Sequence, residues 1–505
     1  MKFVVRDVPL KLMSSSVILN QEDAKELGLV VGDRVSVTSE EKTCIKDVHI
    51  AVEMMERGEI GFCRTEGPCE MRPTEGTVAE VTPVPRPKSI GYILDKLKGG
   101  SYNNGQMNTV IKDIVENQLN EVELTAFVMG NYLRKVEFDE IEAMTRAMIN
   151  TGAKISIGQT PVVDKHSIGG VPGNTISLLV VPIIAAAGLL IPKTSSRAIT
   201  SASGTADTME VLAPVDLTVE EIRDITTRVG GVIAWGGNSG IAPADDIIIR
   251  IERHLLIDPF PQLLASVISK KGAAGADYAV IDIPVGGTKV KGVNHGRSLA
   301  RDFNELGRRL GIEISCVLTD GSQPVSNAIG PALEAREAMH ALEGKALSST
   351  LIEKAVGVAG TLLEVSGKSD QGVKAAENLL SSGKALEKFR EIINAQGGDG
   401  RISAETIPVG DFTATIEAPG EGFASSINSI GIVGIARAAG APKDQGAGIL
   451  LHQRKGSNIT AGQPLFTIYA EKEWKLTQAI DLAQKNNPFQ LSGMILEKYP
   501  KSTVL

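Results

Sequence analysis

Two runs of small hydroxyl, glycine and cationic residues lie close together between Lys165 and Asp207. The first reads Lys165-His166-Ser167-Ile168-Gly169-Gly170-Val171-Pro172-Gly173-Asn174-Thr175. The second reads Pro192-Lys193-Thr194-Ser195-Ser196-Arg197-Ala198-Ile199-Thr200-Ser201-Ala202-Ser203-Gly204-Thr205-Ala206-Asp207. That mixture suits an anion. Hydroxyls and backbone N–H groups donate, arginine offers a planar two-pronged donor, and glycine lets the backbone come close. A turn-rich connection uses the same residue types, so the second run alone leaves both readings open. A second basic, hydroxylated glycine loop just before it favours the anion. His166 likewise has two readings, a loop histidine satisfied by backbone or a group facing an anion and a sugar.

Downstream, Asp258 stands in Leu255-Leu256-Ile257-Asp258-Pro259-Phe260-Pro261. Apolar neighbours on both sides would desolvate it, raise its pKa and keep a proton available for general acid work. An Asp-Pro pair is equally a helix cap followed by the first helical residue, which would lower the pKa instead. In Ala265-Ser266-Val267-Ile268-Ser269-Lys270-Lys271 the helical period places Ser266 and Lys270 on one face, one turn apart. Asp245-Asp246 has the form of a Mg²⁺-holding pair, but an acidic first helical turn is the preferred reading.

The elements that must position these groups follow from the pattern of the whole chain. Its 505 residues suffice for three or four domains, and the net charge of −8 argues against a nucleic-acid surface. No apolar signal segment follows Met1, and the longest apolar run, 176–191, is too short for a membrane span, so a cytoplasmic protein without a membrane partner is expected. The four cysteines form no zinc pattern. Free thiols are expected, with a Cys63–Cys69 disulfide as the alternative.

Residues 1–84 alternate short β-rich runs with turns and read as an N-terminal β-barrel-like domain. Pro83-Val84-Pro85-Arg86-Pro87 is a stiff linker and the clearest boundary. Helical periodicity then marks a small α-helical domain over 88–157, joined by part of 245–275. An α/β domain covers 158–244 and 276–400, its helices including one continuous pattern over 374–395. An α+β domain covers 401–505.

The Lys-His-Ser-x-Gly-Gly loop and the Ser-x-Arg…Gly-Thr-x-Asp segment, in this order and at this separation, resemble the thymidine/pyrimidine nucleoside phosphorylase family over about residues 88–505. The extra N-terminal segment makes the chain similar to a branch of that family, the archaeal AMP phosphorylases. The resemblance implies an α/β multidomain fold of the class II nucleoside phosphorylase kind and a pentosyltransferase. The substrates would be AMP and phosphate, with CMP and UMP as further candidates, and the products adenine and ribose 1,5-bisphosphate. It implies Asp258 as proton donor to the base. Lys165, His166, Ser167, Gly170, Ser195, Ser196, Arg197, Ala198, Ile199, Thr200, Ser201, Thr205, Ser266, Lys270 and Lys289 would contact substrate. Neither metal nor organic cofactor is implied, and a homodimer or larger homo-oligomer is. The alternatives are a nucleoside phosphorylase acting on thymidine or pyrimidine nucleosides, a Mg²⁺-dependent phosphoribosyltransferase, and a non-enzymatic assembly protein. Glu252-Arg253 stands near where nucleoside phosphorylases carry an Arg-Asp pair that reads the pyrimidine, a departure from the pattern.

Overall fold

Alternating apolar residues in the first eighty positions build six strands: β1 (Lys2–Leu12), β2 (Ser16–Asn20), β3 (Arg34–Ser39), β4 (Lys42–Ala51), β5 (Glu59–Thr65) and β6 (Val78–Pro83). They close into a barrel in the order β1-β5-β2-β4-β3-β6, with β1/β5 and β2/β4 parallel. Phe3, Val5, Val17, Leu19, Val35, Val37, Ile60 and Val81 fill its interior. The computed structural model describes residues 1–12, 15–65, 73–198, 201–237, 239–345 and 348–493.

The chain divides into two compact units, residues 1–153 with 240–269, and residues 154–239 with 270–505. In the first unit the barrel joins a helical bundle. Helices Ser89–Leu97, Asn104–Val115, Glu121–Leu133 and Phe138–Thr151 share a core with the returning helix Pro243–Leu255. Arg34 of β3 is held by Asp47 at 3.5 Å and by Glu123 of the bundle, and Asn117 Nδ2 donates to the Ile45 carbonyl at 3.3 Å. The proline linker therefore separates two sequence patterns inside one unit. The cysteine expectation also needs correction. Cys44 is disulfide-bonded, and Cys63 is a free, buried thiol, which excludes the Cys63–Cys69 pair. Asp245 and Asp246 occupy the first turn of Pro243–Leu255, behind a proline at its start.

The second unit is built on parallel strands. Here β7 (Val163–Ser167), β10 (Tyr278–Val285) and β11 (Glu313–Asp320) form a three-stranded sheet in the order β11-β10-β7, while β8 (Ile191–Ser195) pairs with β9 (Gly231–Trp235). A single parallel bridge, Val162–Leu190, joins the two. The connection from β7 to β8 is the helix Ser177–Ala186, whose first nine residues are buried. Burying each Leu, Ile or Val side chain contributes about 1.5–3 kcal/mol, so this apolar run is core. Helices Pro331–Leu342, Ser349–Val365, Gly372–Ser381 and Lys384–Ala395 complete that core. The helical pattern over 374–395 proves to be two helices, broken where Gly383 takes φ +80°. Antiparallel strands and the helices Ser429–Ala438 and Glu473–Lys485 form the C-terminal part. It is joined to the rest of the unit by Ala328–Ile329, which pairs with Ile449 and Leu450. Among the described residues no helix is long and apolar enough to cross a membrane.

Candidate active site

The strand order β9-β8-β7-β10-β11 reverses direction at β7. Ligands in such sheets bind beyond the carboxyl ends of the strands at that reversal. Lys165, His166 and Ser167 end β7, Lys193, Thr194 and Ser195 end β8, and Asp282 lies opposite Ser167 on β10. Beyond Val162–Leu190, β7 and β8 share no ladder among the described residues, so their polar ends are free of a strand partner on that side.

These ends carry more buried positive charge than negative. Lys271 pairs with Asp164, both fully enclosed. Lys354 Nζ lies 2.8 Å from Asp282 Oδ2. Lys165 Nζ donates to Ser177 Oγ at 2.9 Å, at the first residue of the buried helix, where backbone N–H groups favour an anion. Lys193 is buried, with its ammonium on the Thr194 carbonyl. Four ammonium groups thus face two carboxylates, and a buried cation without a counter-charge is costly. Burial, opposed by Asp282, pushes the Lys165 ammonium down to about 7. Lys193 falls well below the ordinary lysine range through burial and then through Lys271. The His166 imidazole is pushed well below its usual value by burial and then by Lys271, Lys193, Lys270 and Lys165. Its Nδ1 is enclosed and has no hydrogen-bond partner. A bound anion would oppose each of these shifts.

Asp282 organises the other side. Ser167 Oγ donates to its Oδ2 at 2.7 Å, Asn174 Nδ2 at 3.3 Å, and Thr319 Oγ1 to Oδ1 at 2.6 Å. Burial opposes the charge, yet Lys354 and Lys165 outweigh it and hold this carboxyl low. The Ser167 hydroxyl, expected on phosphate, has its proton on Asp282 here. Gly170, at φ +86°, packs against the loop after β10. A Cβ there would stand 2.7 Å from Thr288 Oγ1 and 3.2 Å from Lys289 Cγ, so the glycine brings Lys289 to this loop.

The second hydroxyl-rich loop is held by its own acids. Asp207 accepts from Ala198 N at 2.6 Å and Gly204 N at 2.8 Å. A Cβ on Gly204 would come within 2.8 Å of Ala198 N and Ser196 O, so only glycine permits this closure. Arg197, expected from the sequence to contact substrate, is met in this structure by carboxylates of its own segment. Its Nη2 donates to Glu210 Oε1 at 2.6 Å and its Nη1 to the other Glu210 oxygen, while Asp207 lies 3.4 Å away. The guanidinium also lies 4.8 Å over the Trp235 ring. Ser201 Oγ donates to the Ser203 carbonyl at 3.0 Å, and Ser203 Oγ shares a hydrogen with Thr208 Oγ1 at 2.8 Å. Arg437 from the C-terminal part donates to the Ser201 carbonyl at 3.0 Å. Ser195, Ser196 and Thr205 retain partly or fully exposed surface at this loop. A cavity of about 280 Å³ opens beside it, lined by Arg197, Glu210, Pro442 and Lys443 among others. Ile199 and Thr200 lie outside the described residues.

Ser266 and Lys270 are half-buried on the helix Phe260–Ala273, through which the division between the units passes. Asp258 belongs to the first unit, in the link before that helix, and is exposed between Ile257 and Pro259. Its apolar neighbours do not enclose it, for Leu255 and Leu256 are themselves 38% and 87% exposed. The desolvation expected from the sequence is absent in this structure. Sequence reasoning missed Lys193, Lys271, Lys354, Asp164 and Asp282 as a group. The available signal was a charged residue, Asp164, Lys193 or Asp282, standing directly after apolar residues in each of three strands.

Three family descriptions match the chain: "Glycosyl transferase family, helical bundle domain" over 91–152, "Glycosyl transferase family, a/b domain" over 159–386, and "Pyrimidine nucleoside phosphorylase C-terminal domain" over 423–490. AMP phosphorylase 1 of Archaeoglobus fulgidus is 54% identical over 98% of this chain and 99% of its own length. The chain belongs to the AMP phosphorylase family. AMP phosphorylase 2 of the same organism and the AMP phosphorylase of Methanocella arvoryzae are each 48% identical, over 99% of this chain and 99% of their own. Because these AMP phosphorylases match nearly end to end, the family likeness extends across the N-terminal barrel. The fold is shared more widely. Anthranilate phosphoribosyltransferase from Thermus thermophilus superposes with a TM-score of 0.51 at 19% identity, covering 60% of this chain and 98% of that one.

Proposed function

We propose that the chain cleaves nucleoside 5′-monophosphates by phosphorolysis, converting AMP and phosphate to adenine and ribose 1,5-bisphosphate, with CMP and UMP as further substrates. The observation that carries this reading is the buried charge at the ends of β7 and β8, where four ammonium groups meet two carboxylates. Inorganic phosphate brings one anion to this site with either substrate, and a monophosphate brings a second that a nucleoside lacks. The names of the full-length relatives support the same substrate.

In this reading Lys165, Ser167, Ser195, Ser196 and Thr205 hold inorganic phosphate in line with the anomeric carbon. One phosphate oxygen forms the new bond to C1′ as the C1′–N bond to the base breaks, and the base takes a proton from Asp258. The hydroxyls of Thr200, Ser201 and Ser203, with the Gly170 backbone and Lys289, meet the 5′-phosphate. His166, Ala198 and Ile199 line the ribose, and Ser266 and Lys270 the base. The chemistry needs no metal ion, and the working form is a homo-oligomer in the cytoplasm.

Phosphate-dependent release of base from AMP, CMP, UMP, adenosine and uridine, measured side by side, tests this. Monophosphates should be cleaved with kcat/KM higher by several orders of magnitude, because donors built for a phosphate are left unpaired without it. Equal cleavage of adenosine and AMP would instead make the chain a nucleoside phosphorylase, and base release that strictly needs Mg²⁺ and diphosphate in place of phosphate would make it a phosphoribosyltransferase.

A further inference from the structure

Glu334 lies in the first turn of the helix Pro331–Leu342, is 4% exposed, and touches both hydroxyl-rich loops. Its Oε2 accepts from Thr175 Oγ1 at 2.9 Å and, more weakly, from Thr208 Oγ1 at 3.4 Å, while its Oε1 accepts from the Gly330 backbone at 3.2 Å. Thr175 closes the first loop, two residues before the helix that carries Ser177. Thr208 lies one turn into the helix after the second loop, and its hydroxyl also reaches Gly204 O at 3.1 Å and shares a hydrogen with Ser203 Oγ. The backbone contact alone would be an ordinary helix-start contact, with the side chain reaching back to an unsatisfied N–H. The two threonines are 33 residues apart in the chain and gain nothing from such a cap.

We infer that Glu334 is a positioning residue for the anion site, a buried carboxylate that sets the separation of the Lys165–Thr175 loop from the Ser195–Thr208 loop without touching substrate. This rests on the proposed phosphorolysis, in which one phosphate must meet donors from both loops at once. The environment fits a held rather than a reacting group. The helix turns Glu337 to the same side, where it receives Ala328 N at 2.7 Å, so the loops are registered against the segment that pairs with the C-terminal strands. Burial raises the Glu334 carboxyl to about 7, and its hydrogen bonds from Gly330 and the threonines oppose that rise.

The test uses the full chain and four variants: Glu334→Ala, Glu334→Gln, Thr175→Val and Thr208→Val. The dissociation constant of inorganic phosphate is measured by calorimetry, KM for phosphate and kcat with AMP by base release, and Tm by melting. Glu334→Ala should weaken phosphate by about tenfold in both binding and KM, with kcat changed less. Glu334→Gln, which keeps one acceptor and can donate to a turned hydroxyl, should restore most of this. Each threonine variant should weaken phosphate a few-fold, and adding Thr208→Val to Glu334→Ala should do no further harm, since the alanine has already removed that tether. Should Glu334→Ala fail to fold, the threonine variants carry the test. A lower Tm with unchanged phosphate binding and KM in those variants makes Glu334 a helix cap and overturns the inference. A wild-type chain that binds phosphate but leaves AMP intact would defeat the proposed substrate while leaving this test valid. A chain that binds no phosphate defeats both.

Discussion

Two cationic centres sit a short stretch of sequence apart, and they are neutralised in opposite ways. Arg197 is answered by Glu210 and Asp207 and rests on Trp235. Lys165 and Lys193 are buried more deeply and are answered by a serine hydroxyl and a backbone carbonyl, while the two nearby aspartates are already paired with Lys271 and Lys354. A charge that the chain balances itself has finished its work on folding. A charge left without a counter-ion in a dry site stores an unfavourable term that a ligand can remove. The second hydroxyl-rich loop is thus shaped by its arginine, and in the proposed function the lysines balance the charge of a phosphate that the hydroxyls of this loop help to hold.

The sharpest way to test this separates chemistry from anion binding. Asp258→Asn leaves both cationic centres intact. It should cut kcat by about 10²–10⁴-fold, the usual scale for losing a general acid, with the phosphate dissociation constant unchanged by calorimetry. Turnover near that of the parent chain would return Asp258 to the role of a helix cap. Lys165→Met does the reverse. Loss of a charge-assisted contact should weaken phosphate by about 10- to 100-fold, while Tm holds or rises because an uncompensated buried cation is gone. If Tm falls and phosphate binding holds, the lysine is structural and the contrast collapses.

How far the sequence carried this contrast depends on chain distance. Both loops, the β-rich start, the helical stretch and the α/β middle were legible, because each rests on local patterns of period two or 3.6 and on glycine-rich turns. Charge balance was not, since Asp164, Lys193, Asp282 and Lys354 meet only through the sheet. Lys271 follows Lys270 directly, yet a helical step turns it away, and it buries against Asp164 while Lys270 stays half-buried. The Arg197 partner was readable in principle. Asp207 and Glu210 are spaced i, i+3 on one helix face, which puts two carboxylates side by side for one guanidinium. Asp258 is exposed because the leucines before it point outward, so apolar neighbours in sequence do not by themselves make apolar surroundings.

Proton linkage gives a gentler probe of the lysine centre. In the free protein Lys165 titrates at about 7 and His166 well below its usual value, both depressed first by burial. Between about pH 7 and the ordinary lysine range the unfolded chain therefore binds more protons at Lys165 than the folded one, and this group makes the unliganded protein more stable as pH rises. A bound dianion favours the charged form, so phosphate should bind with proton uptake and lose affinity by up to about tenfold for each pH unit above 7. Calorimetry at pH 8 in buffers of different ionisation enthalpy should show uptake of up to about one proton, since inorganic phosphate is already dianionic there. Lys165→Met should remove most of it, and proton release on binding would contradict the assignment.

The smallest effect is expected at the balanced centre, and its sign decides between two roles for Arg197. Lysine at this position keeps one charge but loses the second N–H···O bond to Glu210 and the flat stack on Trp235. The guanidinium is about one-third exposed, so water screens much of the loss. Arg197→Lys should lower Tm slightly and change phosphate affinity by no more than about threefold. Glu210→Gln should produce changes of similar size and the same direction, because both variants loosen one bracket of one loop. If Arg197 were instead a phosphate ligand restrained by Glu210, freeing the fork would tighten phosphate binding in Glu210→Gln while Arg197→Lys weakened it severely. Opposite signs in those two variants would move the arginine from the frame of the loop into the anion site.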